Sequence, residues 1–238
     1  MRFSLVIPCY NEAKSLPELV NACISAGFDS RFEIIFVDNG STDNTPQLLP
    51  KLIASHSQFK TIRVEENKGY GHGILQGLRA SQGEVIGWTH ADLQTDPSDL
   101  LSAVPFFNED KAVFAKGQRY GRPFFDMIFT VGMSFFEMFL LRKFFWDINA
   151  QPTMFSREFF EKWEDPPHDF SLDLFAYFLA KDHKLAIRRF PVYFGKRQYG
   201  DSHWNVDWKG KYKFIRRTIK FSLELKKKYK NATHCPSH

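Results

Sequence analysis

The chain has 238 residues, of which 43% are hydrophobic, and a formal net charge of +5. This length and apolar content indicate a globular protein with one large domain and room for an appendage. Its three cysteines, Cys9, Cys23 and Cys235, are odd in number and scattered. They argue against a disulfide framework or a paired-cysteine metal site and indicate free thiols in a reducing compartment.

Apolar runs and helical patterns alternate through the first 110 residues. Phe3–Pro8 is a short apolar run ended by proline, and Ser15–Ala26 repeats apolar residues at helical spacing until Gly27. This alternation predicts an α/β fold, a Rossmann-like and mostly parallel sheet with helices on both faces. Further strands are predicted at Glu33–Asp38, Thr61–Glu65 and Glu84–Thr89, and further helices at Thr45–Ser55, Gly69–Ser81 and Pro97–Phe107.

The longest apolar segment is Phe124–Trp146. It is long enough for a transmembrane helix, but its four charged residues argue against one because charge at bilayer depth is costly. We expect a helix that lies in a membrane interface or packs on the core. Around this segment we predict strands at Ala112–Gly117 and Ala186–Val192 and a helix at Ser171–Lys181.

A basic tail, residues 206–238, is predicted to follow a domain of residues 1–205. Residues 208–230 carry a net charge of +9, which leaves −4 for the rest of the chain. Tyr212, Ile215 and Ile219 recur at helical spacing, with lysine and arginine on the other face. Such a helix suits an anionic membrane surface, although a helix docked on its own core fits the same pattern. Nucleic acid is not an expected partner, because no recognition motif accompanies the basic run.

Polar residues follow each of the first four predicted strands. In open parallel sheets, ligands bind beyond the carboxyl ends of the strands, so these four segments predict one site. Each segment alone also fits a turn or a helix cap. The segments are Pro8–Glu12, Asp38–Asp43, Asn67–Gly71 and His90–Gln94.

The residue types in these segments suit a nucleotide and a metal ion. Carboxylates such as Glu12 and Asp38 accept hydrogen bonds from a ribose or a base edge, and Tyr10 can pack on a base. A diphosphate needs positive charge from a metal, arginine or lysine. In an extended stretch His90, Asp92 and Gln94 project to one face and offer ligands for Mn²⁺ or Mg²⁺.

Together, IPCYNE, VDNGSTDNT, NKGYGHGILQGLRASQGEVI and HADLQTDP resemble the family 2 glycosyltransferases of the GT-A fold. Within that family the similarity is to the dolichyl-phosphate mannose synthase and polyprenyl-phosphate glycosyltransferase branch. The resemblance covers roughly residues 3–205. It implies a nucleotide-diphosphate-sugar donor, UDP or GDP, a divalent metal cofactor and an inverting displacement at the anomeric carbon.

The resemblance also implies roles for individual residues. Asp92 matches the last acid of the Asp-x-Asp motif, which binds metal and diphosphate. Gln94 matches a further ligand on the metal side. Arg119 matches an arginine that contacts phosphate. The implied nucleotide-binding residues are Pro8, Tyr10, Glu12, Asp38, Asn39, Lys68 and Ala91. The implied phosphate-binding and acceptor-binding residues are Arg119, Gln151, Lys196, Arg197 and Ser202.

Three positions depart from the family pattern. His90 stands where the first Asp of Asp-x-Asp is expected, so the metal site loses a negative charge. Asn39 replaces the second carboxylate after the second strand. Gln151-Pro152 departs from the synthase pattern on the acceptor side, which leaves the acceptor assignment least secured.

Two acceptors remain open. A polyprenyl phosphate is already anionic and needs no general base, whereas a hydroxyl of a lipid-linked oligosaccharide or surface polysaccharide needs one. Asp173 is the candidate base, or else an acid on a helix surface, with Asp169 and Asp147 as weaker candidates. Arg119, Arg197 and the metal near Asp92 would stabilise the leaving diphosphate. A catalytically inactive nucleotide-binding scaffold is the third alternative, and the expected location is the cytoplasmic side of a membrane.

Overall fold

The computed structural model describes residues 1–110, 112–121, 124–195 and 208–232. The chain divides into two compact units. The first comprises Met1–Arg122 and Asn149–Tyr199, and the second comprises Pro123–Ile148 and Gly200–His238. The boundary near residue 206, expected from the change in charge, stays a prediction.

The first unit alternates strands and helices as the sequence predicts. Its strands are β1 (Phe3–Cys9), β2 (Phe32–Asn39), β3 (Phe59–Val64), β4 (Val85–Trp88), β5 (Val113–Tyr120), β6 (Thr153–Ser156) and β7 (Ala186–Tyr193). Its α-helices are α1 (Leu16–Ser25), α2 (Thr45–Ile53), α3 (Tyr70–Ala80), α4 (Val104–Glu109), α6 (Arg157–Phe160) and α7 (Leu172–Asp182). A 3-10 helix at Pro97–Ala103 opens the segment predicted as one helix over Pro97–Phe107, and Asp96 caps it through the Ser98 amide.

The seven strands form one sheet in the order β3-β2-β1-β4-β6-β5-β7. The first four strands pair in parallel, with Phe3 opposite both Phe32 and Val85. Strand β6 runs antiparallel to both β4 and β5, and β7 is parallel to β5. The predicted mostly parallel α/β sheet is confirmed. The sequence analysis did not predict β6, whose four residues TMFS are too few to show a period.

Both faces of the sheet are covered because residues of a strand alternate between them. From β1, Phe3, Leu5 and Ile7 join one buried core, which also takes apolar residues of α1 and α2. Val6 faces the other way, against Gly77 of α3. Strands β1 and β2 are therefore buried on both faces and mostly apolar, apart from Ser4 and Glu33, which hydrogen-bond to each other, and the polar residues at the carboxyl end of β2.

The second unit contains two helices, α5 (Phe124–Leu141) and α8 (Trp208–Ala232), which contact each other. Glu137 of α5 is buried and accepts a hydrogen bond of 2.8 Å from the Ser222 hydroxyl of α8. Several aromatic side chains of the predicted apolar segment are exposed, including Phe139 at 88% and Phe144 at 61%. In the part of the chain that the structure describes, no helix has the length and hydropathy needed to cross a bilayer.

Candidate active site

The loops after β1 and β2 are joined by hydrogen bonds at the carboxyl edge of the sheet. Asn11 has a φ of 56° and accepts a hydrogen bond of 2.8 Å from the Thr42 amide through Oδ1. Its own amide donates to Ser41 Oγ at 3.0 Å, and the Glu12 amide donates to Thr45 Oγ1 at 3.0 Å. A left-handed backbone at a residue other than glycine is costly and is held here by these contacts. The two loops therefore form one preorganised wall of the site.

Asp38 is the second-last residue of β2 and is almost completely buried. Its Oδ2 accepts a hydrogen bond of 2.9 Å from Arg63 of β3, and its Oδ1 accepts one of 3.0 Å from the Ser41 amide. The Arg63 guanidinium compensates the charge of the carboxylate, which is needed when a carboxylate is withdrawn from water. Arg63 was not among the predicted site residues. Its position in the strand predicted to follow β2 is the feature of the sequence that could have indicated a contact with Asp38.

Asn39 joins β2 to α3. Its Nδ2 donates a hydrogen bond of 3.0 Å to the Gly69 carbonyl, while its Oδ1 is buried with no hydrogen-bond partner among the described residues. A Cβ on Gly73 would lie 2.8 Å from Asn39 Cγ, so glycine is required there for close packing. A carboxylate at position 39 has no hydrogen to donate to the carbonyl. The geometry therefore explains the departure from the family pattern at this position.

The loop after β4 carries the candidate metal ligands. Asp92 Oδ1 accepts a hydrogen bond of 3.2 Å from the Gln94 amide, and Leu93 between them has a φ of 55°. Gln94 Nε2 donates to the Gly195 carbonyl at 3.2 Å, and the Gly195 amide donates back to the Gln94 carbonyl at 2.8 Å. This pair of bonds fixes the loop to the segment that follows β7.

Tyr70, the first residue of α3, lies between two rings. It stacks on Phe170 with ring centroids 4.6 Å apart and on His90 with centroids 5.5 Å apart. Its hydroxyl lies 3.4 Å from His90 Nδ1 and 3.4 Å from Gln151 Nε2. Burial and the negative charges of Asp173 and Asp92 hold the pKa of the Tyr70 hydroxyl well above its usual value. The sequence analysis placed Tyr70 in a glycine-rich segment without giving it a role.

A buried ion pair lies behind Tyr70. Lys116 Nζ of β5 is fully buried, 3.5 Å from Asp173 Oδ1 of α7 and 2.8 Å from Thr153 Oγ1. Gln151 Nε2 donates a hydrogen bond of 2.8 Å to the same Asp173 oxygen. Burial raises the pKa of Asp173, and the Lys116 ammonium opposes that rise. Asp173 is therefore not the surface acid that was one interpretation, and Lys116, a charge inside the apolar run VFAKG, was missed.

The remaining predicted residues lie at the same edge or outside the described residues. The Arg119 guanidinium, near the end of β5, lies 5.0 Å from the Phe194 ring centroid. Tyr10 is 39% exposed, Ala91 is buried, and Pro8 precedes the last residue of β1. Lys68 is exposed, and its Nζ lies 3.9 Å from Glu66 Oε2. The predicted residues Lys196, Arg197 and Ser202 lie outside the described residues.

The loop after β4 offers only part of a coordination shell for a metal ion. No group of three or more His, Cys, Asp or Glu side chains arranged for a metal occurs within the described ranges. Asp92 and Gln94 nevertheless offer carboxylate and amide oxygens, which are the ligand types that Mg²⁺ and Mn²⁺ prefer. These two side chains fit such an ion when a diphosphate supplies further oxygens.

Residues 4–164 match the model of a family described as glycosyl transferase family 2. The match covers more than half of the chain. The chain belongs to glycosyl transferase family 2. The family resemblance inferred from the four motifs is thereby confirmed.

Curated relatives match part of this chain. Undecaprenyl-phosphate 4-deoxy-4-formamido-L-arabinose transferase of Pseudomonas syringae pv. syringae (strain B728a) is 38% identical over 100 residues, 41% of this chain and 30% of that protein. The transferase of the same description from Pseudomonas fluorescens (strain SBW25) is 39% identical over 103 residues, 41% of this chain and 29% of that protein. The matched region spans less than a third of each relative.

Solved structures share the fold at low sequence identity. A mannosyltransferase from Pyrobaculum calidifontis, in complex with GDP-mannose and Mn²⁺, has a TM-score of 0.64 at 20% identity, over 84% of this chain and 58% of that chain. Glucosyl-3-phosphoglycerate synthase from Mycobacterium tuberculosis, in complex with Mn²⁺, UDP and phosphoglyceric acid, has a TM-score of 0.70 at 17% identity, over 94% and 78%. The expected GT-A fold is confirmed.

Proposed function

We propose that this glycosyltransferase moves a sugar from a nucleoside-diphosphate sugar to a polyprenyl phosphate, with inversion at the anomeric carbon. The names of the relatives, which describe undecaprenyl-phosphate transferases, support this acceptor. The proposal rests mainly on the burial of Asp173 and on the contacts of its carboxylate. This candidate base is buried, ion-paired with Lys116 and hydrogen-bonded by Gln151. An acceptor that is already a phosphate anion needs no such base.

The donor nucleotide is assigned to the wall formed by the first two loops. Tyr10 is exposed enough to stack on a base, and Glu12 and Asp38 supply carboxylate oxygens for base and ribose. Asn39, Lys68 and Ala91 belong to the same proposed nucleotide subsite, with Pro8 at its floor. The Arg63 ion pair holds Asp38 in one orientation, so the subsite is formed before the nucleotide binds.

The leaving diphosphate is assigned to the loop after β4 and to Arg119. Asp92 and Gln94 would hold a divalent ion, Mn²⁺ or Mg²⁺, which supplies electrostatic stabilisation of the leaving group. Arg119 would add a fixed positive charge, oriented by its contact with the Phe194 ring. Lys196, Arg197 and Ser202 are proposed to contact phosphate as well, and Gln151 to lie on the acceptor side.

We further assign the protein to the cytoplasmic surface of a membrane, where a polyprenyl phosphate resides. In the second unit, the exposed rings of Phe139 and Phe144 flank Arg142 and Lys143. Aromatic side chains enter the boundary between headgroups and acyl chains, and lysine and arginine attract anionic lipids. The basic helix α8 adds charge of the same sign.

The test separates donor binding from acceptor choice. Calorimetry with UDP, GDP, CDP and ADP in Mn²⁺ should show one strong ligand, and Asp92→Ala should weaken it. Transfer from the matching labelled sugar nucleotides to undecaprenyl phosphate in detergent should give an acid-labile glycosyl phospholipid. Binding without transfer to the lipid, but with transfer to a saccharide hydroxyl, would replace the acceptor. Failure of all four nucleotides to bind the folded protein would favour an inactive scaffold.

A variant pair addresses the role of Asp173. Asp173→Asn combined with Lys116→Met removes both buried charges together and leaves no uncompensated ion. We expect transfer to the lipid phosphate to fall less than tenfold in this double variant. Loss of a general base costs about 10² to 10⁴ in rate, so a loss of that size with intact donor binding would instead assign the base to Asp173.

A further inference from the structure

A chain of hydrogen bonds connects the buried ion pair to His90. It begins at the Asp173 carboxylate, which forms an ion pair with Lys116 at 3.5 Å. A carboxylate in such a pair accepts hydrogen bonds. Gln151 Nε2 lies 2.8 Å from this carboxylate. That contact fixes the orientation of the Gln151 amide, because exchanging its nitrogen and oxygen would bring two acceptors together.

The direction of the next two bonds follows from the first. The second hydrogen of the Gln151 amide lies toward the Tyr70 hydroxyl at 3.4 Å, so the hydroxyl oxygen accepts there. His90 Nδ1 lies 3.4 Å from the Tyr70 hydroxyl oxygen and can accept the hydroxyl hydrogen. A tyrosine keeps its hydrogen at neutral pH, so Tyr70 donates to Nδ1.

A neutral imidazole carries one hydrogen, on the nitrogen that does not accept. Since Nδ1 accepts from Tyr70, the hydrogen of His90 lies on Nε2. The ring is also held in orientation by its stack on Tyr70, which itself stacks on Phe170. His90 thus offers an N–H group in the same loop as Asp92, and that nitrogen has no lone pair for a metal ion.

We infer that His90 is a hydrogen-bond donor to the diphosphate of the sugar nucleotide through Nε2–H, and is not a metal ligand. Tyr70 and Gln151 are positioning residues that act through His90. The assignment of the anion rests on the proposed function. It differs from the metal role implied by the Asp-x-Asp motif, because His90 replaces a negatively charged residue with a donor suited to a phosphate oxygen.

The first experiment determines the tautomer of His90 directly. Long-range ¹H–¹⁵N NMR spectra of the full chain at pH 8, with the His90 signal assigned from its loss in His90→Gln, should show the Nε2–H form. Tyr70→Phe keeps the ring but removes the hydroxyl, and should shift His90 toward a mixture of tautomers. A His90 that is Nδ1–H in the wild type would overturn the inference whatever the enzyme transfers.

The second experiment measures UDP and GDP binding by calorimetry, with Mn²⁺ and with EDTA. A hydrogen bond to a charged group predicts that His90→Ala weakens diphosphate binding by about tenfold in both conditions. Binding of the parent nucleoside should be unchanged. Tyr70→Phe should weaken diphosphate binding in the wild type but not in His90→Ala. An effect of His90→Ala that vanishes in EDTA would make His90 a metal ligand.

The two proposals fail differently. If neither UDP nor GDP binds the folded wild-type protein, the proposed donor is wrong, while the NMR spectrum still decides the tautomer. If one binds equally well to wild type and His90→Ala, the inference alone is wrong. Electron paramagnetic resonance of Mn²⁺ gives the remaining comparison, in which Asp92→Ala should weaken Mn²⁺ binding and His90→Ala should leave it within about twofold.

Discussion

Lys116 places an ammonium group inside strand β5 with no exposed surface. Its three hydrogens are engaged in part by Thr153 and Asp173, so the charge is compensated within the first unit. Buried ion pairs add little net stability but become costly when one partner is removed. The pair therefore fixes the position of α7 relative to β5, and it fixes the orientation of the neighbouring Gln151 side chain.

Lys116→Met should destabilise the protein by about 3–5 kcal/mol, since it leaves the Asp173 carboxylate buried without a counter-charge. Urea unfolding followed by circular dichroism measures the change. The control is Lys116→Met combined with Asp173→Asn, which should recover most of the loss. Equal destabilisation of the single and double variants would mean that Lys116 stabilises through packing alone.

Helix α3 packs so closely on the sheet that Gly73 and Gly77 have no room for a side chain. A Cβ on Gly77 would collide with Val6 and would lie 2.9 Å from Val37 Cγ2. Gly132, inside α5, has no atom within 4 Å of the same position. The two glycines therefore share a helical backbone and differ only in surroundings, which separates helix propensity from packing.

Substituting alanine at each position should give opposite signs. Gly132→Ala should stabilise by about 0.5–1 kcal/mol, because alanine is the better helix former. Gly77→Ala gains the same propensity but overpacks against two β-branched side chains, at a cost of about 1–3 kcal/mol, and should be destabilising overall. The shift in the midpoint of denaturant unfolding measures each change in stability, provided that the dependence of the unfolding free energy on denaturant concentration stays the same. A stabilising Gly77→Ala would show that α3 can move off the sheet.

Glu137 gives the pair of helices α5 and α8 a dependence on pH. Burial raises the pKa of Glu137 to about 7 from 4.5, and the hydrogen bond from Ser222 opposes the rise. The folded protein thus retains a proton that the unfolded chain releases near pH 4.5. The stability contribution is complete below that pH, and it is lost as the pH rises through about 7.

Glu137→Gln keeps the shape of the side chain and cannot ionise. Thermal unfolding of this variant and the wild type should differ little at pH 4.5, and the variant should be the more stable at pH 8. The difference is roughly 3.5 kcal/mol at most, from about 1.4 kcal/mol for each unit of pKa shift. An unchanged difference between the two pH values would mean that Glu137 titrates normally.

On the scale of the whole molecule, the second unit carries the net positive charge and the two most exposed aromatic side chains of the described residues, Phe139 and Phe144. Phe139→Ala with Phe144→Ala should weaken binding to phosphatidylglycerol vesicles by tenfold or more, since a buried phenylalanine contributes roughly 1.5–3 kcal/mol. Co-sedimentation measures this, with Tyr193→Ala as control, since Tyr193 is an aromatic of the first unit about as exposed as Phe144. If the wild type and the double variant bind equally well and high salt abolishes both, the attachment to the membrane is electrostatic alone.

The sequence alone determined the alternating α/β pattern, the four polar loops at the carboxyl edge of the sheet, and the family. Apolar runs such as Phe3–Pro8 and the polar residues directly after them are local signals, and parallel strands bring their carboxyl ends to one edge whatever the details of packing. For the same reason the predicted bounds of most strands and helices of the first unit lie within about two residues of the observed ones, as is usual for element ends.

Only the tertiary structure decided the partners of the charged residues. Arg63 with Asp38, Lys116 with Asp173, and Tyr70 with His90 are separated by 20 to 57 positions in the sequence, so no local spacing relates them. Strand β6 also depended on the fold, since four residues become a strand only between β4 and β5. A carboxylate in a sequence offers the same chemistry everywhere, and burial with a specific partner determines whether it accepts a proton, binds a ligand or holds a neighbouring side chain.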